Sequence, residues 1–239
     1  GADVLAVAHV PAEPAYAPVR AALAEAGLIE AEVAPDAALA IPPGGLPAYL
    51  AALDKAVRRE RRVFVDAIDR VVVERADRLA ADDLVELLLR HHHKFGYPDD
   101  PAAMRDRLAR AQLHGDGVRV LVAERAGHAL GFTVAIEDPA GGRLVPRLYA
   151  CAPNDVFAYF NLAYYEPIEL AARAGLSTLA LGTTAYRAKL RRGARLAPRS
   201  TWLAALRDDL RAPLAAAAAY RTALERARRA ALVPQEAPR

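Results

Sequence analysis

One stretch of the chain carries many cationic side chains and no carboxylates. From Ala171 to Arg207 there is no Asp or Glu. The cations in this stretch are Arg173, Arg187, Lys189, Arg191, Arg192, Arg195, Arg199 and Arg207. Because cations without acidic neighbours leave a local positive potential, the stretch predicts a site for a polyanion or an anionic cofactor.

A second group of cations lies earlier, in the segment KAVRRERRVF that begins at Lys55. The net charge of the whole chain is +3, which is small for 239 residues. The positive charge is therefore concentrated in these two segments, and both are candidates for contact with nucleic-acid phosphates.

Composition limits the class of protein. A chain of 239 residues fits one large domain or two small ones. The single cysteine, Cys151, excludes an internal disulfide framework and favours a cytoplasmic location. No apolar run reaches the roughly 18 residues that a membrane span needs, so we expect no transmembrane segment. The opening GADVLAVAHV lacks a basic n-region and predicts a strand rather than a signal peptide.

Hydrophobic periodicity predicts the elements that position the cations. The first part is predicted to contain strands at Val4–Val10, Ala37–Ile41 and Val71–Arg75, and helices at Tyr16–Gly27 and Leu46–Asp66. The Pro42-Pro43-Gly44-Gly45 cluster breaks the chain between them.

The second part begins with two helices, Ala80–Lys94 and Pro101–Leu113. Three strands with short turns follow and predict an antiparallel meander, at Val118–Glu124, Ala129–Glu137 and Leu144–Ala150. The remaining elements are predicted to be a helix at Val156–Ala174, a strand at Leu176–Leu181, a helix at Ala185–Arg192, a strand at Leu196–Leu203 and a helix at Ala212–Ala231. The fold class is therefore α+β with a mixed, α/β-type sheet.

The order β-αα-βββ-α-β-α-β is that of a GNAT-type N-acetyltransferase fold. YYEPIELAARAGL, a strand, and then G-x-x-x-Y-x-x-K-x-x-R-G resemble the C-terminal half of the Fem-type branch, including BioF2-like acetyltransferases. LPAYLAALDKAVRRERRVF is similar to the basic helix that precedes the core domain there. The resemblance is strong from Leu46 to Trp202. It implies a shortened GNAT-like half at residues 1–70, a complete C-terminal GNAT core at 71–208, and a C-terminal helix and tail at 209–239.

The resemblance implies acyl transfer to an amine. Acetyl-CoA enzymes hold the pyrophosphate with R/Q-x-x-G-x-G/A, where backbone N–H groups at a helix start bind the anion. Here the corresponding junction, CAPNDVFAYFN, has no glycine, and Asp155 would repel a pyrophosphate. In the Fem branch the donor is an aminoacyl-tRNA. We therefore expect no bound cofactor and an aminoacyl-tRNA co-substrate, with acyl-CoA as the alternative.

The resemblance also implies roles for residues of the donor side. Lys189 matches the lysine of the Y-x-x-K-x-x-R-G pattern, and it would stabilise the tetrahedral oxyanion or contact the donor's terminal phosphate. The alternative is a solvated lysine on a basic helix. Donor or tRNA contacts are predicted at Arg58, Arg59, Arg62, Arg187, Arg191, Arg192, Arg195 and Thr183.

The acceptor side is predicted from the YYE segment and from the loop HHHKFGYPDD. Glu166 and Tyr165 would orient the attacking amine or accept its proton through water, and the alternative for Glu166 is an ion pair with an arginine. Acceptor contacts are predicted at His93, Phe95, Tyr97, Asn161 and Tyr164. Three consecutive helical histidines point about 100° apart and cannot share one ion, so no metal site is predicted.

Three functions remain open from the sequence. The first is a transferase that forms an amide by direct attack of a small-molecule or peptide amine on aminoacyl-tRNA, in natural-product biosynthesis or in cell-wall work. The second is an N-acyltransferase that uses acyl-CoA or an acyl-carrier protein. The third is a non-catalytic domain that binds RNA or a protein. The C-terminal helix is expected to serve packing or a homodimer.

Overall fold

A computed structural model of the chain describes residues 2–74, 77, 79, 82–94, 96–97, 100–112, 115–152 and 158–232. The strands are β1 (Val4–Pro11), β2 (Ile29–Ala40), β3 (Arg70–Glu74), β4 (Val118–Arg125), β5 (His128–Asp138), β6 (Arg143–Cys151), β7 (Thr178–Gly182) and β8 (Arg195–Ala205).

The helices lie before, between and after these strands. They are α1 (Ala17–Glu25), α2 (Gly45–Ala51), α3 (Lys55–Ala67), α4 (Asp82–Lys94), α5 (Pro101–Gln112), α6 (Ala158–Phe160), α7 (Glu166–Arg173), α8 (Tyr186–Arg191) and α9 (Arg211–Ala230). A five-residue π-helical segment, Asn161–Tyr165, joins α6 to α7. Short 3₁₀ turns lie at Pro14–Tyr16, Gly115–Gly117 and Asp208–Leu210.

The chain divides into two compact units. The first unit contains residues 1–38 and 181–239, and the second contains residues 39–180. The division predicted at 1–70, 71–208 and 209–239 differs from this one, in which residues 1–38 group with the C-terminal part. The predicted domain division stays a prediction.

The sheet of the first unit is built around β8, which pairs antiparallel with β1 on one side and β2 on the other. Trp202 of β8 lies opposite Val7 of β1 and Glu30 of β2. The pairing of β2 with β8 shifts register between Val33 and Asp36. Such a bulge bends the strand locally and redirects its side chains.

The second unit has the strand order β7-β6-β5-β4-β3. Its strands β3 to β6 pair antiparallel in sequence, and β7 runs parallel to β6. Helix α4 buries Leu84 and Leu88 against this sheet, where Phe132 and Val134 of β5 belong to the same apolar cluster. The apolar positions of α4 recur at helical spacing, so one stripe packs on the sheet and the other faces are polar.

The predicted antiparallel meander is confirmed as β4-β5-β6. The single helix predicted at Leu46–Asp66 is wrong, because the chain forms α2 and α3 with a break between them. Asp54 causes the new start: its carboxylate accepts a hydrogen bond from the Val57 backbone N–H at 2.9 Å. An N-cap of this kind satisfies a donor at the beginning of a helix.

The second predicted strand was also too short. It begins at Ile29 rather than at Ala37. None of the helices in the described ranges has the length and apolar character to cross a membrane.

Candidate active site

The turn between β7 and α8 has an unusual backbone. Gly182 has φ +69° and Ala185 has φ +48°. A left-handed conformation carries no steric penalty for glycine, but it is strained for alanine. Because backbone strain of this kind concentrates at functional sites, the residues of this turn are candidates for a binding role. Thr183, predicted to contact the donor, lies half-buried in the same turn.

Lys189 projects from α8 into the interior of the first unit and is 3% exposed. Its ammonium donates to the carbonyl oxygens of Leu181 at 2.7 Å and Gly182 at 3.0 Å. A lysine ammonium has three N–H donors, and in the described part of the chain these two carbonyls are its acceptors. The solvated lysine considered from the sequence is therefore wrong, and among the described residues no acceptor for its third N–H is found.

Burial lowers the pKa of Lys189 to about 8, and the charge of Asp36 partly offsets this effect. Asp36 is itself bonded to Arg199 at 3.0 Å. The Lys189 ammonium lies 5.9 Å from the centre of the Tyr186 ring, and the Tyr186 hydroxyl donates to the Pro35 carbonyl at 2.7 Å. These contacts anchor α8 to β2 and fix the position of the lysine.

The four arginines of the segment from Arg187 to Arg195 divide into two groups. Arg187, Arg191 and Arg195 are exposed, as a contact with donor phosphates requires. Arg192 is 2% exposed and donates to the Ala188 carbonyl at 3.2 Å, so it packs within the unit and is unsuited to a phosphate contact.

In the second unit, the predicted residues near the π-helical segment form a charged cluster. Arg61 of α3 forms an ion pair with Glu166 and donates to the Asn161 side-chain oxygen at 2.9 Å. Both members of the pair are largely buried. The structure thus brings Glu166 and Asn161 together through an arginine that was recognised as basic but not assigned to the site.

The two predicted tyrosines of the π-helical segment are fully buried. The Tyr165 hydroxyl lies 3.4 Å from the Glu60 carboxylate, and its ring lies 6.3 Å from that of Tyr49. The Tyr164 ring meets the edge of the Tyr159 ring at 5.8 Å. π-helical turns are rare and occur frequently at functional sites, which favours a role for this segment beyond packing.

The predicted acceptor residues of the α4 end are placed differently. His93 is exposed, and Tyr97 is 60% exposed with its ring 5.3 Å from that of His92. Phe95 lies outside the described residues. The side chain that turns inward is His91, which meets the edge of the Tyr149 ring at 5.3 Å. Burial, with the charges of His92 and Lys94, lowers the pKa of His91.

Sequence reasoning missed His91 because three adjacent histidines look equivalent. Which of them points inward becomes clear only when the apolar stripe of the helix is identified. Leu84, Leu87 and Leu88 define that stripe, and His91 continues it at i+3 from Leu88 and i+4 from Leu87. The stripe was visible in the sequence and was the signal that could have selected His91.

The predicted tRNA contacts on α3 are exposed. Arg59 and Arg62 lie on the solvent face of the helix. Arg58 donates to the carbonyl of Leu53 at 2.8 Å and so also closes the break before α3. Within the described ranges, no group of three histidine, cysteine or acidic residues is arranged to hold a metal ion.

Strand order, helix positions and the meander together define a GNAT-like fold of the type seen in FemX. Three solved structures illustrate the likeness. FemX matches with TM-score 0.59 and 11% identity, over 74% of this chain and 63% of FemX. L-PGS from Bacillus licheniformis matches with TM-score 0.55 and 9% identity, over 80% of this chain and 66% of that protein.

The third structure is the C-terminal domain of a protein named as a lysylphosphatidylglycerol synthetase from Agrobacterium fabrum. It matches with TM-score 0.57 and 11% identity, over 78% of this chain and 65% of that domain. The chain thus spans about two thirds of the length of each of these structures. No protein-family model matches the sequence, and no curated protein matches it. At these identities the likeness shows the fold.

Proposed function

We propose that this chain forms an amide bond by transferring an aminoacyl group from aminoacyl-tRNA to an amine of a small molecule or peptide. The observation that carries the proposal is Lys189, a buried ammonium held by two backbone carbonyls, with no third acceptor among the described residues, beside a strained turn. The FemX-like fold and the Fem-type sequence pattern around Lys189 support the same reaction class.

The proposed reaction is direct attack without a covalent enzyme intermediate. The amine nitrogen bonds to the ester carbonyl carbon as the bond from that carbon to the ribose oxygen breaks. The amine loses a proton and the ribose hydroxyl gains one. Negative charge develops on the carbonyl oxygen in between, and the Lys189 ammonium donates to that oxygen. A fixed donor in a dry site is worth about 3–4 kcal/mol to such a step.

Positive residues on exposed surfaces supply the contacts proposed for the tRNA. Arg59 and Arg62 serve this role in the second unit, and Arg187, Arg191 and Arg195 serve it in the first. Contacts with phosphates carry no sequence information, so they would fix the position of the tRNA and leave choice of the amino acid to the site.

Glu166 is proposed as a positioning residue. Its carboxylate holds Arg61, and Arg61 in turn holds the side chain of Asn161. This geometry supports a role in orienting the π-helical segment.

Two donors can be compared without knowing the natural acceptor. Hydroxylamine is a small amine-like nucleophile that converts aminoacyl esters into aminoacyl hydroxamates and acetyl-CoA into acetohydroxamate. The chain is incubated with hydroxylamine and either total tRNA charged with mixed amino acids or acetyl-CoA, and the products are measured by mass spectrometry. We expect aminoacyl hydroxamates above the enzyme-free rate and no enzyme-dependent acetohydroxamate.

Acetohydroxamate formation, with no enzyme-dependent product from charged tRNA, would replace the proposal by the acyl-CoA function. If neither product forms while tRNA binds with a strong salt dependence, the chain is an RNA-binding domain without this activity.

A further inference from the structure

A pocket of about 380 Å³ lies in the second unit, between the second half of α5 and the strands β5 and β6. This volume falls within the range of about 300–1,000 Å³ that is typical of small-molecule sites. The described residues that line the pocket are Arg107, Arg110, Ala111, Ile136, Arg147 and Leu148. None of them has a role in the proposed aminoacyl transfer, so the pocket is a separate candidate site.

Helix α5 presents two of these arginines to the pocket. Residues at i, i+3 and i+4 lie on one face of a helix, and Arg107, Arg110 and Ala111 have this spacing. Met104 and Leu108 of the same helix are buried in the apolar cluster that α4, α5 and the sheet share. The apolar side of α5 is thus anchored on the sheet, and this anchoring holds the two guanidinium groups beside it.

Strand β6 presents the third arginine through a β-bulge. Two consecutive residues of β5, Val134 and Ala135, lie opposite the two ends of the segment 146–148, so Arg147 in its middle is the extra residue. Adjacent residues of a regular strand point to opposite faces of the sheet, yet Arg147 and Leu148 both line the pocket. The bulge therefore turns the guanidinium toward the pocket. Bulges redirect side chains in this way and are frequent next to active sites.

The partners of the three arginines differ. Arg110 forms an ion pair with Asp106, which offsets its charge. Nη1 of Arg107 lies 3.2 Å from Nε2 of His92, and an imidazole carries no negative charge to offset a guanidinium. Arg147 forms no ion pair in the parts of the chain that the structure describes. The pocket thus brings together two guanidinium groups, on α5 and on β6, whose charge no carboxylate offsets.

The charge and the lining of the pocket favour a phosphate monoester as the ligand. Such a group carries about two negative charges at pH 7 and has three acceptor oxygens, which suits two guanidinium groups. A carboxylate has one charge and two oxygens, and a single guanidinium already pairs with both. A backbone phosphate of a nucleic acid is a diester and carries one charge. Ala111, Ile136 and Leu148 add an apolar wall, on which burial of an organic group favours binding.

We propose that this pocket binds a small phosphate monoester. Arg107 and Arg147 hold its phosphate, and its organic part lies on the wall formed by Ala111, Ile136 and Leu148. The site gives the chain a binding activity beyond the aminoacyl transfer proposed above, and binding here does not depend on that reaction.

The first test compares ligands on the unchanged chain by isothermal titration calorimetry at low salt. Phenyl phosphate is the probe. Methyl phenyl phosphate keeps the ring but is a diester with one charge, and inorganic phosphate keeps the charge but has no ring. We expect each of these two to bind about tenfold more weakly than phenyl phosphate. Equal binding of the diester would contradict the choice of a monoester, and equal binding of inorganic phosphate would contradict the role of the apolar wall.

The second test removes one guanidinium at a time. Arg107 and Arg147 are both exposed, so neither replacement disturbs the core. In Arg107→Gln and in Arg147→Gln we expect phenyl phosphate to bind about tenfold more weakly, because each variant loses a charged donor to the phosphate. Arg105→Gln removes an exposed arginine of α5 that does not line the pocket, and it is the matched control, with binding expected within about twofold of the unchanged chain. Unchanged binding in both Arg107→Gln and Arg147→Gln would overturn the proposal.

A third measurement distinguishes the monoester from a nucleic-acid backbone. We expect an excess of a short single-stranded RNA to leave phenyl phosphate bound. If phenyl phosphate does not bind, and Arg147→Gln weakens binding of the RNA, the pocket is part of an RNA-binding surface and the proposal is replaced. None of these measurements requires turnover, so failure here is distinguishable from failure of the aminoacyl-transfer proposal.

Discussion

Lys189 in the first unit and Arg61 in the second are both buried or largely buried cations, yet their partners differ. Arg61 faces the Glu166 carboxylate, which neutralises it. Lys189 faces two backbone carbonyls, which orient the ammonium but carry no net charge. The carboxylate whose charge acts on it, Asp36, is also paired with Arg199.

This difference distinguishes a cation that stabilises the fold from a cation that can act in the reaction. A cation paired with a carboxylate has little charge left to offer a reacting group. A cation held by neutral carbonyls keeps its charge and gains a fixed direction, at the cost of desolvation that lowers its pKa. We infer that Lys189 acts on the donor carbonyl and that Arg61 organises the segment around Asn161.

Replacing Lys189 should produce the largest effect on activity. Lys189→Met removes the ammonium but retains a chain of similar length. We expect the rate of hydroxamate formation from charged tRNA to fall by about 100-fold to 1,000-fold. Lys94→Met, at the exposed end of α4, is the matched control and should retain full activity. If circular dichroism shows that Lys189→Met is folded and the variant is fully active, Lys189 has a structural role like that of Arg61.

Breaking the Arg61 pair should affect stability more than chemistry. Glu166→Gln leaves a largely buried guanidinium without its carboxylate, and we expect the free energy of unfolding to fall by about 1–3 kcal/mol in urea titration. Arg61→Met combined with Glu166→Gln should cost less than the sum of the two single variants. Strict additivity would mean that the two side chains do not stabilise one another.

The exposed arginines of α3 should act on tRNA affinity alone. Arg59→Gln with Arg62→Gln removes two proposed phosphate contacts, and we expect binding about tenfold weaker at low salt. The slope of log K against log salt should fall by about 2. Arg105→Gln, which loses an exposed arginine paired with Asp82 in the same unit, should leave both quantities unchanged. Equal slopes for the double variant and the unchanged chain would show that these two arginines of α3 do not contact tRNA phosphates.

Lys189 should also leave a small signature in stability against pH. Its pKa is about 8 in the folded chain and near its ordinary value of 10.5 when unfolded. Between these values the unfolded chain binds more protons, so the contribution of Lys189 to the free energy of unfolding rises with pH. Relative to Lys189→Met, we expect the unchanged chain to gain about 1 kcal/mol per pH unit from pH 8 to 10. A pH-independent difference would show that the pKa is not lowered.

The order of the elements was predictable because hydrophobic periodicity is local. The meander β4-β5-β6 follows from three alternating runs and short turns. The local sequence also contained the signal for the break before α3, because the Asp54 side chain accepts from the Val57 N–H. The segment was nevertheless predicted to be part of one longer helix. The bulged N-terminal part of β2 was missed although I-E-A-E-V alternates as a strand does.

The candidate site was less predictable because it depends on contacts between distant residues. Of the cations from Arg187 to Arg195, the sequence could not select Lys189 and Arg192 as buried. Which of these cations are buried depends on where α8 packs. The Tyr186 hydroxyl donates to the Pro35 carbonyl, 151 residues earlier in the chain, and this bond holds α8 in place. Likewise, the contact of Arg61 with Glu166 spans 105 residues. The resemblance selected Lys189 as functional, but its burial and its partners come from the structure.

The central claim, that the charged form of Lys189 acts on the donor carbonyl, is tested most directly by the pH dependence of one turnover. The rate of hydroxamate formation from charged tRNA is measured from pH 6.5 to 9.5 with the enzyme in excess, after subtraction of the enzyme-free rate. Hydroxylamine is mostly neutral in this range and almost wholly neutral above pH 7, so dividing the rate by the concentration of its neutral form corrects for its own titration. With the lysine pKa at about 8, we predict a rate that is constant below pH 7 and falls about tenfold per pH unit above 8, whereas Lys189→Met is slow throughout. A rate that stays constant or rises through pH 9.5 in the unchanged chain would contradict the claim.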